Sequence, residues 1–79
     1  MHLEIITPEK TLFSGEINLL QAPGTLGSFE ILKNHAPIIS TLEAGTIKIR
    51  SMEGAVSYFE IHGGVIEAKS NKIIVLAEV

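Results

Sequence analysis

Eight turn-forming clusters punctuate the 79 residues: Pro8-Glu9-Lys10, Ser14-Gly15, Pro23-Gly24, Asn34-His35, Ala44-Gly45, Glu53-Gly54, Gly63-Gly64 and Ser70-Asn71. Each combines residue types that accept or preset tight backbone geometry. They start about 6 to 11 residues apart, which leaves room for short strands and none for helices. Between them the dominant period is two. Thr46-Ile47-Lys48-Ile49-Arg50 alternates without error, with both isoleucines on one face. No segment carries a capped i, i+3, i+4, i+7 apolar stripe. The expectation is one all-β domain over residues 1–79, an antiparallel sandwich or flattened barrel of about 8 to 10 short strands.

Some segments depart from strict alternation. Leu3 and Ile5 share a face, with Ile6 breaking the pattern, and Ile17 and Leu19 oppose Leu20 and Ala22. Such a segment reads as buried on both faces. Ile73-Ile74-Val75-Leu76 is a continuous apolar strand of the kind found inside a sandwich. Strand character persists to Val79, where most domains end in a polar tail; the chain reads as stopping where something could follow.

Size makes this core matter. A chain of this length buries only about 60% of its unfolded surface, and with no cysteine it has neither a disulfide nor a thiolate for zinc. Stability therefore rests on apolar packing, for which a 46% hydrophobic content suffices. Net charge is −3, with six Lys and Arg spread singly along the sequence, an argument against nucleic acid as a partner. The longest apolar run, Ile73 to Ala77, is far too short to cross a membrane, and no secretory leader opens the chain.

Catalytic patterns are sparse. The acids are nine Glu and no Asp, which removes a Ser-His-Asp arrangement, and a Ser-His-Glu one lacks its nucleophile elbow. Glu4, Glu16, Glu43, Glu53, Glu60 and Glu67 read as solvated strand faces and turns. His2, His35 and His62 are too far apart for a local metal motif. Pro23-Gly24-Thr25-Leu26-Gly27 lacks the Lys-Ser/Thr and the following helix of a phosphate loop. His62 and Gly63-Gly64 read as structural, the glycines as a turn. The conspicuous stretch is Gly27 to Pro37, GSFEILKNHAP, a polar, turn-rich passage beside Phe29, Ile31 and Leu32. Phe29 and Ile31 share a strand face and suit the core; an apolar residue beside a glycine-rich loop also suits an interface.

Leu12-Phe13-Ser14-Gly15, Gly27, Ile31, Asn34-His35-Ala36-Pro37, Gly45-Thr46-Ile47, Gly63-Gly64-Val65-Ile66-Glu67 and Val75-Leu76-Ala77 together resemble, in order and spacing, the N-terminal β-sandwich domain of the epsilon subunits of F-type ATP synthases. The resemblance runs through the whole chain. It implies a non-catalytic central-stalk subunit that couples rotation of the c-ring and gamma subunit to ATP synthesis in the catalytic head, with no cofactor or metal. It also implies a peripheral place on the cytoplasmic face of a bacterial inner membrane, held through the ring. By the same resemblance Leu26, Gly27, Ser28, Phe29 and Glu30 face the c-ring, and Thr7, His35, Ala36, Pro37, Ser40 and Leu42 face gamma.

Two departures stand out. Some relatives carry an acid where this chain has Ser28, a role Glu30 could take over. The family usually continues into a helical hairpin that inhibits hydrolysis and in some members binds ATP; a chain ending at Val79 is expected to be a short form without it. Two rival readings compete. A lipoyl- or biotinyl-type carrier domain would use Lys33 beside Asn34 for attachment, though it lacks the usual acidic or methionine neighbours. A small hydrolase or isomerase would need Glu67 and His62 in one cleft.

Overall fold

A computed structural model describes residues 1–79 as six strands without a helix: β1 (His2–Ile6), β2 (Thr11–Gly24), β3 (Gly27–Leu32), β4 (Ile38–Ser51), β5 (Val56–Lys69) and β6 (Lys72–Glu78). Neighbours pair antiparallel from β1 to β2, β2 to β4, β4 to β5 and β5 to β6. The circle closes because β6 returns alongside β1 in parallel, His2 against Lys72 through Ile6 against Leu76. Five strands thus form a closed flattened barrel, and β3 hangs on β2 as an extra strand, with no partner on its far side. Closure removes sheet edges everywhere else.

The all-β expectation holds, but the strands are fewer and longer than the turn spacing suggests. β2, β4 and β5 each run 14 residues. Ser14-Gly15, Ala44-Gly45 and Gly63-Gly64 lie inside them and mark bends, where one strand passes from one wall of the barrel to the other, whereas Pro23-Gly24 ends β2 at the turn into β3. β2 shows this directly: residues 11–16 pair with β1, and residues 17–24 with β4. Pro23 is tolerated in so central a strand because the β2–β4 register shifts between Gln21 and Gly24, where no ladder bond asks for its missing N–H. In β5, a Cβ on Gly64 would stand 2.4 Å from the Leu76 carbonyl oxygen, so the β5–β6 ladder closes only around glycine. The remaining turn clusters are true connections. Ser70 and Asn71 form a two-residue β5–β6 turn with both φ positive, 53° and 61°, the geometry that matches strand twist.

The core is a single cluster of 15 buried residues that includes Leu3, Ile5, Ile17, Leu20, Ile47, Ile49, Ile61, Ile66, Ile73 and Val75. Alternation places Ile47 and Ile49 inside, as expected. The mixed phase of β2 has a cause in the register shift between Ile17 and Leu19, which turns Ile17, Leu20 and Ala22 all inward. Phe13 and Phe59 meet edge to face at 6.1 Å and cap the cluster. No helix is long and apolar enough to cross a membrane.

Candidate functional site

The Gly27–Pro37 stretch is divided between two ends of one element. At one end, Thr25 and Leu26 connect β2 to β3, with Gly24 opposite Gly27. Thr25 N–H donates to the Thr41 carbonyl at 3.1 Å, and the two threonine hydroxyls lie 2.8 Å apart, which fixes the hairpin against β4. Leu26 then projects wholly into solvent at 103% relative exposure. Of the five residues expected to face the ring, Leu26, Gly27, Ser28 and Glu30 are exposed. Phe29 is half-buried and packs on the core, so its first role is to anchor the strand. Gly24 lies under that ring: a Cβ there would stand 2.8 Å from Phe29 Cε1. Glu30 accepts a hydrogen bond from the Gln21 side chain across the β2–β3 pair.

A shallow depression of about 360 Å³ runs beside this hairpin, lined by Gln21, Ala22, Pro23, Ser28, Phe29, Glu30 and Thr46. Glu30 is the one ionisable residue that borders it, and its carboxylate is engaged by the Gln21 side chain. Its chemistry suits contact with a polar protein loop.

At the other end, Lys33 to Pro37 form the β3–β4 connection. His35 N–H donates to the Leu32 carbonyl at 3.1 Å. His35 Nδ1 lies 2.7 Å from the Ala36 carbonyl oxygen; because a carbonyl only accepts, Nδ1 carries the proton and donates, which leaves Nε2 as the acceptor of the neutral ring. His35, Ala36 and Pro37 are exposed, and Ser40 is partly so.

Two residues expected on the gamma-facing side are turned inward. Leu42 is buried in the core cluster, because the inward phase of β4 includes it. Thr7 is buried and spends its hydroxyl on its own loop: it donates to the Lys10 carbonyl at 3.0 Å and accepts from the Glu9 and Lys10 N–H groups. Both shape the neighbouring surface from beneath.

The rival sites do not assemble. His62 and Glu67 are five residues apart on one strand, about 16 Å at strand rise, and no cavity is lined by both. Lys33 lies in a five-residue connection rather than at the tip of a tight hairpin. Sequence reasoning missed the side-chain pair formed by Asn34 and Asn71, which joins two connections distant in the chain. The one signal available was that both asparagines stand in turn clusters.

Comparison with known proteins adds the context that the geometry lacks. The family described as "ATP synthase, Delta/Epsilon chain, beta-sandwich domain" matches residues 1–79. The ATP synthase epsilon chain of Chlorobaculum tepidum is 43% identical over 76 residues, covering 96% of this chain and 86% of that protein. The ATP synthase epsilon chain of Pelotomaculum thermopropionicum is also 43% identical, over 75 residues, but there the match spans only 55% of the relative. Among solved structures, a chain of the Tetrahymena thermophila mitochondrial ATP synthase central stalk and c-ring superposes with a TM-score of 0.81 at 21% identity, covering all of this chain and 63% of the other. A chain of the Euglena gracilis mitochondrial ATP synthase gives a TM-score of 0.89 at 14% identity, covering 95% and 48%. At those identities the structural matches speak for the fold.

Proposed function

Because the chain belongs to the ATP synthase delta/epsilon chain β-sandwich family, we propose that it serves as a non-catalytic central-stalk subunit of an F-type ATP synthase, between the gamma subunit and the c-ring. The observation that carries this reading is the match of the family over residues 1–79 together with 43% identity to an epsilon chain across 96% of the sequence. The chain carries out no bond chemistry of its own. It helps couple rotation of the ring and gamma to ATP synthesis in the head.

Within that role the β2–β3 hairpin tip is the ring-facing surface. A leucine left wholly in water at the tip of a hydrogen-bonded hairpin suits burial against another protein, and Ser28 and Glu30 offer polar contacts beside it. The gamma-facing surface is His35, Ala36, Pro37 and Ser40, backed by buried Thr7 and Leu42. Neither surface is large, and two modest contacts made together hold a small subunit better than either alone. Location follows from assembly: the chain sits at the cytoplasmic face of a bacterial membrane, held there through the ring.

The test is reconstitution. The chain, mixed with the cognate gamma subunit, should elute as a complex on a sizing column, and His35→Glu should weaken that complex. Leu26→Glu should leave gamma binding intact and lower retention on gamma–c-ring particles. Failure of the wild-type chain to bind gamma would overturn the assignment.

A further inference from the structure

The two asparagines missed by sequence reasoning hold one end of the barrel together across 37 residues of sequence. Asn34 N–H donates to Asn71 Oδ1 at 2.7 Å, and Asn71 Nδ2 donates to Asn34 Oδ1 at 2.9 Å. Both residues have left-handed backbone, φ 65° and 61°, a region that asparagine enters more readily than most side chains. The Asn71 carbonyl also accepts from His2 N–H at 2.9 Å. The β3–β4 connection, the β5–β6 turn and the start of β1 are thereby tied at one point.

What this tie brings beside His35 is positive charge. Lys69 and Lys72 stand directly opposite one another across the β5–β6 turn. Two like charges in that relation repel. Neither has an ion-pair partner: the only ion pairs in the chain are those of the Met1 ammonium and His2 with Glu16. Glu67, two residues before Lys69 on the same outer face of β5, borders an outer depression with both lysines but forms no ion pair with either. His35, Lys69, Asn71 and Lys72 border one small crevice, floored by Ile31 and Ile73, and no carboxylate lines it. A chain with net charge −3 thus places two lysines without ion-pair partners at the rim of the crevice that His35 also borders.

We infer that the Asn34–Asn71 pair is a latch, and that it fuses the His35–Pro37 connection with the β5–β6 turn into one basic docking surface for an acidic polypeptide segment of the stalk partner. This rests on the reading that His35 faces gamma, and it extends that contact to Lys69 and Lys72. The occupant is a polypeptide rather than a lipid surface, because the ring-facing tip lies at the far end of β3, about 20 Å away at strand rise. An anionic membrane beyond the ring would be at the opposite end of the molecule.

The experiment measures affinity of the full chain for the cognate gamma subunit at low and high sodium chloride. Wild type should lose affinity with salt, because the contact is between exposed charges. Lys69→Glu with Lys72→Glu should weaken binding about tenfold at low salt, whereas Lys48→Glu should leave it unchanged. Asn71→Gly keeps the left-handed turn but removes the amide; it should fold, speed hydrogen exchange of the Asn34 amide and weaken gamma binding roughly threefold or more. Wild-type affinity in the lysine reversal, or in Asn71→Gly despite faster exchange at Asn34, would overturn the inference while leaving the stalk assignment in place. Absence of any wild-type binding would instead overturn the assignment beneath it.

Discussion

Thr7 shows how much one buried side chain can organise. It follows β1, is 6% exposed, and its one hydroxyl organises the Thr7–Lys10 loop by donating to one carbonyl and accepting from two N–H groups. Thr7→Val keeps the shape and removes all three bonds. It should lower stability by about 1 to 2 kcal/mol in urea unfolding, and Thr7→Ser should recover most of the loss. Leu42 differs from its neighbours Thr41 and Glu43 only by strand phase, which turns it inward while they face water. His35 stays on the surface, with its N–H bonded to the end of β3 and its Nδ1 to the Ala36 carbonyl.

Among the elements, the long strands carry the fold. A turn prediction from Gly63-Gly64 is reasonable from composition, yet both glycines lie inside β5, opposite Leu42 and Glu43 on β4. The pair serves β5 by letting it bend while β6 approaches closely on the other side. Gly64→Ala puts a methyl against the Leu76 carbonyl and should cost about 1 to 3 kcal/mol, read as a drop of several degrees in Tm. The continuous apolar run of Ile73 to Leu76 suggests burial on both faces, but β6 alternates: Ile73, Val75 and Ala77 face the core, while Leu76 is exposed on the outer side, because pairing with β1 and β5 covers a strand's edges and not its faces. β3 is the exception, an edge strand of six residues with Glu30 on its solvent side. A short edge carrying a charge resists pairing with other chains.

For the whole molecule, closure is the organising fact. β1 and β6 meet only after every other strand has been placed, so the first and last elements complete the circle. One core cluster serves the entire chain, with no second unit able to fold separately. Unfolding should therefore be a single cooperative transition, with circular dichroism and tyrosine fluorescence coincident. Ile5→Ala, at a fully buried position on the closing strand, should destabilise by about 2 to 5 kcal/mol and shift both probes together. A loss of coincidence, with the β1–β6 seam opening first, would contradict the single-core picture. Beside the closed barrel, the short β3 joins the Leu26 tip at one end to the His35 connection at the other.

Much of this protein was settled by local pattern. Turn chemistry at short intervals, period-two stretches such as Thr46 to Arg50, and the absence of a helical stripe fix an all-β chain, because alternation and turn propensity act over a few residues and need no distant partner. The Phe-Ser-Gly, Asn-His-Ala-Pro and Gly-Gly-Val-Ile-Glu stretches also carried the family resemblance. Only the tertiary structure decided that glycines inside β2, β4 and β5 bend strands instead of ending them, that Thr7 and Leu42 face inward, and that Asn34 finds Asn71. Those outcomes depend on register and on contacts between residues far apart in the chain. A register is set by the sum of all pairings around the closed barrel, and no single stretch contains that sum.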